Sequence, residues 1–220
     1  MDLSEIPASP PAGYRQPYRF TYPMLGLQIG ALAMLLALVP FLGVLTWVLQ
    51  GQPSLADTTS QLTELLDSLD HLFSNSSAVL TFGCAAALLI ASIVVPLTIV
   101  VVTIIVHELI HGLAYRALGY RVSYGFYWKL GCYAIAPCQF QQRRHNIVVA
   151  LAPLVVITLV MAPLLAVQNI LVVAIALLVL LLNTSAAAGD LYSTWWLLKT
   201  PPHTLLYDVD VNNSFVYAPE

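Results

Sequence analysis

Long apolar runs alternate with short polar segments along this 220-residue chain. The runs lie near 24–49, 78–115, 147–167 and 170–198, and each is long enough to cross a bilayer core of about 30 Å as a helix. The last two are separated only by the turn 168–169, which predicts a tight helical hairpin. The pattern therefore predicts an all-α integral membrane protein with about four transmembrane helices.

Two connecting segments have patterns of their own. In 50–78, apolar residues recur every three or four positions, which predicts an amphipathic helix on the membrane surface, either a lid or a packed cap. The segment 122–131 is rich in aromatic residues, with glycines at possible turns, and predicts a β-hairpin between the second and third spans. Its edge could bind an extended substrate strand, or its aromatic rings could anchor it at the interface.

Composition agrees with a membrane protein. Hydrophobic residues make up 59% of the chain and charged residues 9%, too few charges to cover a soluble globule. The 8 Lys and Arg residues are scattered, which excludes a basic stripe for nucleic acid. We therefore expect the lipid bilayer as a partner and no nucleic acid.

The basic residues also predict the orientation. The loop 50–78 contains four acidic residues and no Lys or Arg, whereas the loop 116–146 contains five basic residues. Short cytoplasmic loops carry an excess of Lys and Arg. We therefore expect a multi-pass protein of the cell membrane, with both termini in the cytoplasm.

One motif in the second span suggests chemistry: His107-Glu108-Leu109-Ile110-His111. On a helix, histidines four residues apart share one face and can bind the same zinc ion. Glu108 would lie beside the metal, where it can take a proton from zinc-bound water and pass it to a leaving amine. The motif predicts hydrolysis of peptide bonds with Zn²⁺ as cofactor.

The apolar surroundings strengthen this interpretation. An ionisable group inside a membrane helix costs about 2.5 to 3.5 kcal/mol on insertion scales, and three such groups stand together here. The alternative is structural, with His107, Glu108 and His111 bonding to neighbouring helices.

A catalytic zinc needs a third protein ligand. Depth in the bilayer favours Asp190. Counting about 1.5 Å per helical residue from the basic flanks places His107 and Asp190 each roughly 13 Å inside the cytoplasmic boundary. The other candidates lie at the boundary or in the polar tail: His145, His203, Asp208 and Asp210.

Two further residues of the fourth span could support this site. Asn183 lies about two turns before Asp190 on the same helical face, where it could bind substrate or the oxyanion, or could bond another helix. Gly189 would let the fourth helix approach the second closely.

The motif with Gly112, the aromatic segment after it, the Ala150-Leu151-Ala152-Pro153 run and the Gly189-Asp190-Leu191 run together resemble the bacterial membrane zincin peptidases, a family named from sequence. In plan, the chain is also similar to the site-2 proteases. The resemblance covers roughly 80–200. It implies zinc bound by His107, His111 and Asp190, with Glu108 as general base.

We therefore expect three parts: a cytoplasmic tail, 1–22; a transmembrane zinc peptidase domain, 23–200; and a polar tail, 201–220. The expected activity is hydrolysis of a membrane-associated protein or peptide. Two alternatives from other classes are a non-catalytic membrane binding protein and a metal carrier. The sequence indicates neither the substrate nor the oligomeric state.

Overall fold

The computed structural model describes residues 10–74, 78–127, 131–210 and 213–220. The structure is mostly helical, with two small antiparallel sheets. The helices are α1 (Met24–Leu49), α2 (Leu55–Ser74), α3 (Ala78–Ala117), α4 (Arg143–Met161), α5 (Ile170–Ala186) and α6 (Ala188–Leu198), with a 3₁₀ turn at Ala162–Ala166. The strands are β1 (Tyr18–Phe20), β2 (Ser123–Tyr127), β3 (Gly131–Ile135), β4 (Phe140–Gln142), β5 (Leu205–Asp210) and β6 (Asn213–Tyr217).

Three helical segments of the described chain are long and apolar enough to cross a membrane: Met24–Leu49, Ala85–Ala117 and Arg143–Ala166. The fourth predicted span is broken after Ala186 into α5 and α6, whose axes differ by 43°. The chain thus has three candidate spans, or four if the bent pair forms one. The count of four remains a prediction.

The helices pack around α5. Its inner face and α1 share a core that includes Leu42, Leu165 and Leu180, and α3 contacts both α4 and α5. The Asn169 side chain accepts hydrogen bonds from the first free amides of α5 at 3.0 and 3.2 Å, which is why this helix begins at Ile170. The predicted turn between the last two spans therefore acts as a helix cap.

A four-stranded antiparallel sheet, in the order β1–β6–β5–β4, closes one end of the bundle. Its register pairs Tyr18 with Val216 and Leu206 with Val216. The prediction of an all-α fold is therefore incomplete, because the chain segments predicted to be polar tails form strands. Asp208 and Asp210 suggested a solvated tail, but Tyr207 and Val209, on either side of Asp208, are buried with Phe215 and Tyr217 of β6.

A hairpin forms in the loop after α3, but its second strand, β3, extends beyond the predicted segment 122–131. β2 and β3 pair antiparallel, with Tyr124 opposite Ala134 and Phe126 opposite Cys132. The helix α2 also forms over the predicted amphipathic stretch. The sides of the membrane on which the hairpin and α2 lie remain predictions.

Candidate metal centre

His107, His111 and Asp190 meet inside the helical bundle. The two histidines lie one turn apart on α3, are buried, and have their Nε2 atoms 3.2 Å from each other. Asp190 Oδ2, from α6, lies 3.2 Å from His107 Nε2 and 3.4 Å from His111 Nε2. Three potential ligand atoms thus form a nearly equilateral triangle.

The hydrogen bond at Nδ1 of each imidazole determines which ring nitrogen faces the triangle. His107 Nδ1 lies 3.0 Å from Asn183 Oδ1, and His111 Nδ1 lies 2.9 Å from the carbonyl oxygen of Val149. Both partners are acceptors, so each Nδ1 donates a proton to its partner and each Nε2 faces the triangle. In this orientation the two Nε2 atoms and the Asp190 carboxylate could bind one cation.

The carbonyl of Val149 is available because of a proline. In an α-helix this oxygen would accept the amide proton of residue 153, but that residue is Pro153, within α4. Proline has no N–H to donate. The oxygen is therefore free to bind His111, and the Pro153 of the sequence motif has a role in positioning a zinc ligand.

The triangle has the dimensions that zinc requires. Ligand atoms of a tetrahedral zinc ion, with bonds of about 2.0 Å, lie about 3.3 Å apart. The observed separations of 3.2 to 3.4 Å match this value. Two neutral imidazoles and one carboxylate are also a donor set found in catalytic zinc sites, so the residues fit the ion.

Glu108 competes with Asp190 for the third ligand position. One of its carboxylate oxygens lies within 4.8 Å of ligand nitrogens on both histidines, whereas Asp190 lies within 3.4 Å of each. The backbone amide of Ala134 in β3 lies beside the Glu108 carboxylate, which also lines a cavity of about 220 Å³. Asp190 and Glu108 are therefore both candidates for the third ligand.

The break between α5 and α6 positions Asp190. It lies in the first turn of α6, just after the bend at Ala187, which is fully buried. Gly189 does not cause the close approach, contrary to expectation, because a Cβ added there would meet no atom within 4 Å.

The remaining candidate ligands lie elsewhere. His145 Nδ1 binds the Tyr120 hydroxyl at 2.8 Å, and His203 is exposed. Asp208, which is bonded by Gln141 and Ser214, and Asp210 line the same cavity as Glu108. Asn183 is fully buried behind His107 and is not part of the cavity lining. This position favours the predicted helix-to-helix contact over substrate binding.

The hairpin rests on the same helix as the motif. Tyr124 packs against Gly112, and the Arg116 guanidinium carbon lies 5.6 Å from the centre of the Tyr124 ring. A Cβ at Gly112 would overlap the Tyr124 ring. The glycine that follows His111 therefore allows the hairpin to lie beside Glu108, which is a role that the sequence did not indicate.

Gly112→Ala should loosen the hairpin, because the added methyl group forces Tyr124 off α3 at a cost of about 1–3 kcal/mol. The backbone of Arg121 is held by the Gln139 side chain at 2.7 and 2.9 Å, so loosening should speed tryptic cleavage after Arg121 several-fold. Gly30→Ala is the control, since a Cβ there meets no atom within 4 Å. Equal cleavage rates in both variants would contradict this account.

The comparison with known families agrees with this geometry. Residues 100–205 match the model of the family DUF3267, described as "Putative zincin peptidase". No curated protein and no solved structure matches the chain significantly. The matched stretch is just under half of the chain and contains the motif, the hairpin and Asp190. The match supports a zincin-like family, implies zinc as the cofactor, and gives His107, Glu108 and His111 as a candidate metal group.

Proposed function

We propose that the protein is an intramembrane zinc metallopeptidase that hydrolyses peptide bonds of membrane-associated proteins. The observation that carries this proposal is the convergence of two Nε2 lone pairs and the Asp190 carboxylate at zinc-ligand spacing. The family match over 100–205 supports it independently.

His107, His111 and Asp190 would hold the ion. When bound, zinc would supply a Lewis acid that lowers the pKa of water and polarises a carbonyl group. Asn183 and the Val149 carbonyl orient the two imidazoles. Partners of this kind fix ring orientation and raise the basicity of the ligand.

Glu108 is the proposed general base. Its carboxylate faces the cavity beside His111, where it can accept a proton from the attacking water and give that proton to the leaving amine. The amide of Ala134 donates to this carboxylate and so restrains its rotation. The hairpin thereby contributes to the placement of the base.

The edge of β3 is the proposed docking place for the substrate backbone. Tyr124 pairs with Ala134 on one side of β3, while the amide of Ala134 points to Glu108 on the other. In the described part of the chain, β3 pairs with β2 alone. An extended peptide could add to this edge by backbone hydrogen bonds. A helical substrate would first have to unwind locally, because its carbonyls are bonded within the helix.

The proposed location of the site is the cytoplasmic half of the bilayer. Arg116 and Lys199 lie at the carboxyl ends of α3 and α6, which carry the proposed ligands, and Arg143 begins α4. Short loops rich in Lys and Arg remain on the cytoplasmic side. Both termini, joined in the sheet through β1 and β6, would then lie on that side too.

Removal of zinc tests the proposal. The purified protein, in lipid nanodiscs, is incubated with synthetic transmembrane peptides, and new termini are identified by mass spectrometry. We expect fragments that vanish after treatment with a zinc chelator and return when zinc is added. Cleavage that is unaffected by chelation, or no cleavage by protein that has bound zinc, would contradict the proposed function.

A further inference from the structure

The cavity beside Glu108 is lined by acidic residues from the sheet as well as from the helices. Glu108, His111 and Asp190 come from α3 and α6, while Asp208 and Asp210 come from β5. At about 220 Å³, the cavity is smaller than sites for drug-sized ligands, which measure about 300–1,000 Å³. Its size suits one or two side chains of a peptide.

Asp208 contributes a carboxyl group on the sheet side of this cavity. Asp208 accepts hydrogen bonds from Ser214 Oγ at 2.6 Å and from Gln141 Nε2 at 2.8 Å. Both donors are neutral, so they orient the carboxylate without balancing its charge. None of the described residues that line the cavity is Lys or Arg. Burial raises the pKa of Asp208, against the effect of these two hydrogen bonds. A cation beside it would favour the charged form.

Aromatic rings form one wall of the cavity. Phe20, Tyr22 and Trp196 belong to this wall, and the rings of Phe20 and Trp196 pack with centroids 4.5 Å apart. Burial raises the pKa of the Tyr22 phenol, and the carboxylates of Asp190 and Asp208 raise it further, so Tyr22 lies near both carboxylates. Aromatic rings attract cations through their negative faces, which is a second feature that favours a cationic ligand.

We propose that Asp208, with Asp210 and the aromatic wall beside it, forms a subsite for an Arg or Lys side chain of the substrate close to the scissile bond. The proposal rests on the peptidase function proposed above and adds a substrate class to it. Glu108 and Asp190 would face the two positive charges of zinc, whereas the carboxylate of Asp208 is bonded by Gln141 and Ser214.

Basic side chains are common in membrane proteins at the proposed location of the site. Segments of membrane proteins just inside the cytoplasmic boundary are rich in Lys and Arg. A substrate helix that unwinds at this boundary would bring a basic residue to the sheet while its apolar part remains in the membrane. Asp208 and Asp210 would then favour cleavage sites beside the basic flank of a transmembrane segment.

The test measures peptide binding to zinc-loaded Glu108→Gln protein in nanodiscs of zwitterionic lipid. The probes are acetylated and amidated peptides with one Arg, or with its neutral isostere citrulline at the same position. We expect the Arg peptide to bind about tenfold more tightly, which corresponds to 1.4 kcal/mol. The preference should appear only when the Arg occupies one or two positions along the peptide.

Asp208→Asn should abolish this preference, and Asp210→Asn, which leaves the Ser214 and Gln141 contacts intact, should weaken it. Asp67→Asn on α2 removes the same charge at an exposed position outside the cavity and should leave the preference unchanged. Zinc content reports whether each variant is folded.

Equal binding of the two peptides, or a preference that survives in an Asp208→Asn, Asp210→Asn double variant, would overturn the subsite. The outcomes for the two proposals are separable. Zinc-dependent cleavage without an Arg preference would support the peptidase proposal and contradict the subsite proposal. An Arg preference in a protein that hydrolyses no peptide would support the subsite proposal and contradict the peptidase proposal.

Discussion

Replacing Glu108 with Gln is expected to slow peptide hydrolysis by about 100- to 10,000-fold, the usual contribution of a general base, while zinc remains bound. Gln has nearly the same shape as Glu, and its side-chain oxygen can still accept the Ala134 amide proton. It cannot take a proton from water. The measurement is the rate of appearance of new peptide termini, together with zinc content by elemental analysis.

The matched control is Glu64→Gln, which makes the same change at an exposed position on α2 and should hydrolyse at the native rate. Hydrolysis at the native rate in Glu108→Gln would exclude Glu108 as the base. Loss of zinc in Glu108→Gln would instead indicate that Glu108 is the third ligand. Glu108→Gln that retains zinc and binds substrate without turnover would be a trap for finding natural substrates.

His107→Ala and Asp190→Ala are each expected to remove zinc from the purified protein, in which the native chain should hold about one ion. Each variant leaves two of the three converging atoms, and two ligands bind zinc far more weakly than three. The comparison variant is Asp208→Asn, at a rival candidate for the third ligand, which should keep its zinc because the Asp208 carboxylate is bonded by Gln141 and Ser214 and not by the histidines. The measurement is zinc per chain after dialysis.

Asn183→Leu gives an intermediate case. It removes the acceptor for His107 Nδ1 but none of the three ligand atoms, so zinc affinity should fall by about 10- to 100-fold without complete loss of the site. Zinc retained in Asp190→Ala but lost in Asp208→Asn would move the third ligand to the sheet. Full affinity in Asn183→Leu would show that His107 needs no partner to keep its orientation.

Local spacing made one half of the candidate site predictable. His107 and His111 share a helical face at any i, i+4 spacing, and Glu108 follows from the same turn of α3. Asp190 was predicted from its depth in the bilayer, and the structure brings its carboxylate within 3.2 Å of His107. Membrane helices run roughly parallel, so residues at one level can meet, and the role of Asp190 as a zinc ligand stays a prediction.

The hydrogen-bond partners of the histidines were not predictable to the same degree. Asn183 was singled out on its helical face, yet its contact with His107 depends on how α3 and α5 pack. The identity of Val149 does not indicate that its backbone carbonyl binds His111. Pro153, four residues later, was the available signal, because a proline frees the carbonyl one turn before it.

Sequence alone thus determined the apolar helices, the aromatic hairpin and the His-Glu-His constellation, because each depends on residues close together in the chain. Tertiary structure decided the rest. It joined 18–20 to 213–217 in one sheet, broke the last apolar run before Asp190, and set β3 against Glu108. These features depend on contacts between segments far apart in sequence, and no local pattern predicts which of these segments pair.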